Sequence, residues 1–168
     1  MLGRMDTIAE LRHAIGATRF GAGIPAPSLE RLASVGRLRE AGPGELLLVE
    51  GAPTTELDLI LAGRVGVTER EPGRGEVTLM TVEPGDIVGW SVLLTHLPAT
   101  ATARVMERTL LVAFPAEDLR AAIARDPVLS AAVHRQALDA VARRLLATRH
   151  QLLDLGETLT SSFGSEPW

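Results

Sequence analysis

The chain has 168 residues, 46% hydrophobic and 23% charged, with a formal net charge of −4; that length holds one buried core plus an accessory helix, and the composition excludes a disordered chain. Cysteine is absent, which excludes disulfide frameworks, thiolate metal sites and cysteine nucleophiles. No apolar run approaches the roughly 18 residues of a membrane span, and Asp6 and Glu10 stand where a signal peptide needs an unbroken apolar stretch, so a cytoplasmic location and no membrane partner are expected.

Residues 7–15 carry Ile8, Leu11 and Ile15 at helical spacing and predict a short amphipathic helix starting at Asp6 or Thr7. A second helix is predicted from Pro27 or Ser28 to Val35, with Ser28 as N-cap and Gly36 as its stop. From Leu38 to Phe114 the punctuation changes, and short apolar runs at 46–49, 57–62, 65–67 and 77–82 lie between glycines and prolines. That spacing is the mark of an antiparallel sandwich or barrel. In the last of these runs Val77, Leu79 and Thr81 are expected on one face and Thr78, Met80 and Val82 on the other, and residues 71–76 read as a hairpin loop. Further strands are predicted at 102–105 and 109–114.

Beyond Pro115 the period is helical. One helix is predicted over 116–125, closed by Asp126–Pro127, and a longer one over 128–155. In the longer helix Leu138, Val141, Leu145, Thr148, Leu152 and Leu155 follow steps of three and four, a heptad seam, while Ala142, Leu146 and Leu153 form a second apolar stripe. Two apolar faces need two partners, and the simplest second partner is another copy, so a homodimer through this helix is expected. The tail over 156–168 is small and polar and is expected to fray.

Several runs resemble a known family. Residues 45–67, ELLLVEGAPTTELDLILAGRVGV, are similar to the opening strands of the cyclic-nucleotide-binding superfamily, where a G-x5-L-x-L-I-L-x-G-x-V run is typical; Gly51, Leu57, Leu59, Ile60, Leu61, Gly63 and Val65 match it. Residues 84–86 then resemble the turn before the family's ligand cassette, and the likeness extends over about 20–155. The resemblance implies a mainly β fold with flanking helices: a double-stranded β-helix, or jelly roll, followed by a long C-terminal dimerisation helix. One domain over 1–168 is expected, with N-terminal helices at 1–37, the roll at 38–114, C-terminal helices at 115–155 and the tail at 156–168. Catabolite activator protein-like relatives append a DNA-binding winged helix-turn-helix after the long helix; this chain ends soon after Leu155, so DNA is not an expected partner. The acidic balance and the lack of an arginine-rich block agree with that.

In family members that bind a cyclic nucleotide, the cassette resembles F-G-E-L-A-L-L followed by P-R-A-A-T; the Glu accepts a ribose hydroxyl and the Arg pairs with the cyclic phosphate. Here Val88 and Gly89 take the first two places, Trp90 the Glu, Ser91 the next Leu, Pro98 the Pro, Ala99 the Arg, and Thr102 the closing Thr. A buried charge left without its partner costs roughly 3–5 kcal/mol, and the indole of Trp90 is a donor that cannot accept a hydroxyl bond. Cyclic nucleotide is therefore a disfavoured ligand and no cofactor is expected. The candidate ligand-binding residues of this diverged cassette are Gly89, Trp90, Ser91, Ala99, Thr100 and Thr102. Backbone N–H groups of a short helix beginning at Gly89 could hold an anion, hydroxyls of Ser91, Thr100 and Thr102 could donate, and Arg104 or Arg64 could reach in. The plainer reading makes Trp90 core filling, Ser91 a helix cap and the threonines strand residues.

His13, His96, His134 and His150 are isolated, without metal-ligand spacing, and no nucleophile–base arrangement can be assembled. No metal site or catalytic residue is expected, and haem through His96 is the weakest reading. The leading expectation is a stand-alone regulatory or ligand-sensing module that moves its cassette against the long helix. The alternative is a ligand-free protein interaction domain, its pocket filled by Trp90, with an unknown protein partner.

Overall fold

The computed structural model describes residues 7–163 except 74, 95 and 96; at 71, 151, 152 and 154–163 it describes the backbone alone. Two short helices open the chain, α1 (Ile8–Gly16) and α2 (Ala26–Val35). The Thr7 side chain accepts the Glu10 N–H at 3.2 Å while the Glu10 carboxylate accepts the Thr7 N–H at 3.1 Å, a capping box that fixes where α1 begins. α2 starts differently from the expectation. Pro25 occupies its N-cap without a side-chain bond, and the Ser28 hydroxyl instead donates to Asp126 at 3.2 Å. Pro27, the second residue of the helix, fixes φ within the first turn and has no N–H to cap there.

Eight strands follow: β1 (Arg37–Ala41), β2 (Leu46–Leu48), β3 (Glu56–Ala62), β4 (Val65–Glu71), β5 (Gly75–Val82), β6 (Ile87–Val88), β7 (Thr102–Val105) and β8 (Thr109–Pro115). They form two four-stranded antiparallel sheets, ordered β1-β8-β3-β6 and β2-β7-β4-β5. Sequence neighbours mostly lie in opposite sheets, which makes the pair a jelly roll. The roll's core joins Ile60, Leu111, Ala113 and Val88 of one sheet to Val65, Val82, Ala103 and Val105 of the other. On β3 and β8 the alternate rows, Leu57 opposite Phe114 and Leu59 opposite Val112, are also fully buried. They face the helices: a Cβ on Gly36 at the end of α2 would come within 2.9 Å of the Phe114 and Val112 side chains. β3 is thus apolar on both faces except at Glu56 and Asp58.

The regular alternation expected along β5 breaks. Val67 pairs with Met80 and Thr68 with Thr78, so Leu79 is an extra, outward residue of a β-bulge. Val77 and Met80 are half-buried and Leu79 exposed, because one inserted residue reverses the phase of the side chains beyond it.

α3 (Ala116–Arg125) occupies its predicted span, and α4 runs Pro127–Phe163, past the predicted end at Leu155 into the stretch expected to fray. The expectations for 164–168, and for side chains at 152 and 154–163, lie outside the described residues. Asp126 joins the two helices. Its carboxylate accepts the N–H groups of Val128 at 3.0 Å and Leu129 at 3.1 Å, the Ser28 hydroxyl, and the Arg31 guanidinium at 2.8 Å. The chain divides into two compact units, Met1–Ala137 and Leu138–Trp168; within the first, Leu129, Ala132 and Val133 of α4 are buried. Among the described residues no helix is long and apolar enough to cross a membrane.

Candidate functional site: the cassette between β6 and β7

Val88 ends β6 opposite Asp58. The next residue, Gly89, turns into the left-handed region at φ 79°, where a Cβ would lie 2.3 Å from the Glu56 carbonyl oxygen, so only glycine makes this corner. Trp90–Leu93 follow as a single 3-10 turn, with the Val92 N–H donating to Gly89 at 3.1 Å and the Leu94 N–H to Ser91 at 3.0 Å. One such turn lacks the dipole of the helix expected here.

Ser91 is buried and is not a cap, since Gly89 holds the N-cap place without any side-chain bond. Its hydroxyl lies 2.6 Å from that of Thr54, one donating to the other. Ala99 is buried too; its N–H donates to the Ala52 carbonyl at 2.9 Å and its carbonyl accepts the Gly51 N–H at 2.9 Å. The loop before β3 therefore laces both ends of the cassette together. The same loop reaches α3, where the Ala116 N–H donates to the Thr55 carbonyl at 2.8 Å. A second tie comes from α3 itself: Arg120 Nε donates to the Val92 carbonyl at 2.8 Å. Sequence reasoning passed over Arg120, because an arginine inside an amphipathic helix carries no local mark of a loop carbonyl 28 residues earlier.

Trp90 is half-buried and Thr100 exposed. Thr102 stands apart from the cassette's interior. It pairs with Thr68 and alternates with buried Ala103, so it sits on the outward face of its sheet, where its hydroxyl accepts the Glu50 N–H at 3.1 Å. There it lines an open depression of about 350 Å³ with Arg70, Glu76 and Arg104. Arg104 is occupied by Glu76 at 3.1 Å and the Gly44 carbonyl at 3.1 Å, and Arg64 lies 3.7 Å from Glu83. Neither arginine serves the cassette, contrary to the expectation, because strand alternation turns Arg104 away from the core.

Over 89–102 the only titratable residue is His96, which lies outside the described residues, as does the haem reading that rests on it. Among the described residues no group of side chains could hold a metal ion. His134 is exposed, with Nδ1 2.7 Å from the Ser130 carbonyl of its own helix.

Charge is found instead on the strands behind the cassette. Arg39 of β1 donates to Glu45 at 2.5 Å and Glu56 at 3.1 Å, and lies 3.9 Å from Asp58. Asp58 is fully buried, neither carboxylate oxygen has a hydrogen-bond partner, and the Arg39 Nε is likewise orphaned. Burial pushes the Asp58 carboxyl up to about 7, helped by the negative charge of Glu56 and opposed by Arg39.

On α4, Leu138 and Leu145 of the expected seam are each 69% exposed, Val141 is half-buried, and Leu152 lies outside the described side chains. Thr148 is exposed and its hydroxyl donates to the Arg144 carbonyl of the preceding turn at 3.0 Å. Leu146 and Leu153 of the second stripe are exposed as well.

The molecule is thus a two-sheet jelly roll carrying a glycine-cornered cassette between β6 and β7, with helices after β8. The cyclic nucleotide-binding domain family model matches residues 38–126, more than half of the chain, and the chain belongs to that family. Among curated proteins it is similar to the acetyltransferase Pat of Mycolicibacterium smegmatis, 36% identical over 104 residues, covering 61% of this chain and 31% of that protein. It is also similar to the CRP-like cAMP-activated global transcriptional regulator of Mycobacterium tuberculosis, 31% identical over 112 residues, covering 67% of this chain and 48% of the regulator. The chain thus spans between about a third and about a half of these relatives' lengths. In fold it is similar to a cyclic nucleotide-binding domain from Methylobacillus flagellatus, with TM-score 0.74 and 23% identity, covering 88% of this chain and 83% of that one.

Proposed function

We propose that this domain is a regulatory, ligand-sensing module with a diverged cassette, without a catalytic role of its own, that does not hold a cyclic nucleotide in the family's usual way. The observation that carries this reading is the charge-free cassette: Trp90 and Ala99 stand where the resemblance places the ribose-binding Glu and the phosphate-binding Arg. Arg104 and Arg64, which might have replaced that arginine, are committed elsewhere. A phosphate taken into such a site would lack its counter-charge, at a cost of roughly 3–5 kcal/mol, more than a hundredfold in affinity. In this reading a ligand, or a partner in its place, acts by shifting the turn at 90–93, and Arg120 and the Thr55–Ala116 bond pass the shift to α3. The module works in the cytoplasm as a homodimer through the α4 seam at Leu138, Val141, Leu145, Thr148 and Leu152, and neither DNA nor a membrane is a partner of this part of the chain.

A second reading, a ligand-free interaction domain for an unknown protein partner with Trp90 filling the pocket, draws support from the closure of the cassette on the 51–54 loop by Ser91 and Ala99. Calorimetry with cAMP and cGMP, on the wild type and on Trp90→Ala, tests both. The first reading expects no saturable binding at micromolar nucleotide, and saturable binding there that survives Trp90→Ala overturns it. The second expects Trp90→Ala to lose roughly 3–5 kcal/mol of stability, as removal of a packed aromatic does.

A further inference from the structure

We propose that Asp58 is a buried proton-binding site that decides which carboxylates hold Arg39, and through that choice sets the β1–β2 turn and the end of β6 that leads into the cassette. The site stands whether or not the cassette takes a ligand.

Three observations place it. Asp58 lies on the inner row of β3, opposite Ala113 on β8 and Val88 on β6, with its whole side chain out of solvent and both oxygens without a donor. An ionised carboxylate in that position has lost its water and gained no hydrogen bond in return, which is the environment that favours the protonated acid. Arg39, the cation in reach among the described residues, is drawn the other way. Its two terminal nitrogens donate to Glu45 and Glu56, both of which keep contact with solvent, and its Nε hydrogen is buried with no acceptor. The arrangement is that of a neutral Asp58: the Arg39 Nη2, already donating to Glu56, lies 3.9 Å from Asp58 Oδ2, beyond hydrogen-bond distance, and both Asp58 oxygens stay unsatisfied.

The surroundings isolate this pair. β8 and β6 bring apolar Ala113, Leu111 and Val88 to the inner row, and the 3-10 turn Trp90–Leu93 has no titratable group. Glu56, Arg39 and Glu45 are the charged groups that act on Asp58, and burial is the largest influence, holding its carboxyl at about 7.

When the Oδ–H bond breaks and the proton leaves to solvent, the new carboxylate attracts Arg39 inwards. Arg39 keeps its charge throughout. To pair with Asp58 its nearest nitrogen, Nη2, must weaken its bond to Glu56, and the turning guanidinium carries Nη1 with it on Glu45, the residue that organises the β1–β2 turn: its carboxylate accepts the Gly42 N–H at 3.1 Å and its carbonyl the Val105 N–H at 2.9 Å. Val88, opposite Asp58, is the last residue before the left-handed corner at Gly89, whose Cα faces the Glu56 carbonyl. One proton therefore bears on the turn at one end of Arg39 and on the cassette's entry at the other.

The test is a carboxyl-carbon NMR titration of the labelled full chain from about pH 4 to about pH 9, a range that spans ordinary and raised carboxylates. The expected result is an Asp58 midpoint near neutrality, with the amides of Gly42, Glu45, Val88 and Gly89 moving at the same midpoint and losing that step in Asp58→Asn. A midpoint in the ordinary carboxylate range overturns the proposal, and so do amides that ignore the Asp58 step or that keep it in Asp58→Asn. The wild-type titration reads the carboxyl directly, so it decides the matter even where the variant fails to fold.

Discussion

Two aspartates carry opposite signs in the pH dependence of this fold. Asp126 is held below the usual carboxylate range, first by the Leu129 N–H, against the opposing pull of burial, with Arg31, Ser28 and the Val128 N–H adding to the lowering. The stability it contributes is present above the ordinary carboxylate value and is lost as pH falls through its lowered one. Asp58 behaves in reverse. Its folded carboxyl titrates at about 7 against an ordinary 3.8, so the folded state binds the proton more tightly, and stability falls as pH rises between those values and levels off above them. At about 1.4 kcal/mol for each pH unit, the interval sets a ceiling of about 4 kcal/mol. Urea unfolding across this range should show the wild type losing stability from acid to neutral pH and Asp58→Asn largely flat. A variant that keeps the wild-type slope would remove Asp58 as its source.

At the scale of elements, what could be read from the residues is what local spacing controls. α3 and β7 fall on their predicted spans, and α1 and β8 within a residue or so of theirs, because apolar period, turn residues and proline positions are written into the segment itself. Gly89 matches the cassette's glycine only through the family resemblance; that it makes a left-handed corner depends on the Glu56 carbonyl of another strand, which its own segment does not announce. Nor was the Leu79 bulge legible, because an inserted residue is defined by the partner strand's register. Ser28 reads as a cap in its own segment and is recruited by Asp126, 98 positions later; Arg120 is silent until Val92 is placed beside it. Asp126 therefore acts on three helices at once. Asp126→Ala should lower the melting temperature by about 5 °C, a capping loss spread over a chain of this size. Calorimetric melting showing no change would mean that Pro127 alone starts α4.

The whole molecule raises the question of how copies meet. Leu138 and Leu145 stand exposed one heptad apart on α4, the spacing of a helical seam. The proposed homodimer predicts that Leu145→Asp shifts the protein from dimer to monomer in sedimentation velocity at micromolar concentration without changing its fold. A wild-type monomer, or a dimer indifferent to that substitution, would sink the seam. The Leu79 bulge bears on the same question from the sheet. β5 is the open edge of the β2-β7-β4-β5 sheet, and an unpaired edge strand invites a neighbour's strand to extend it, the first step towards fibrils. The inserted residue twists that edge and interrupts its evenly spaced amide donors midway along the strand. The β5 edge is thereby guarded against endless edge-to-edge growth.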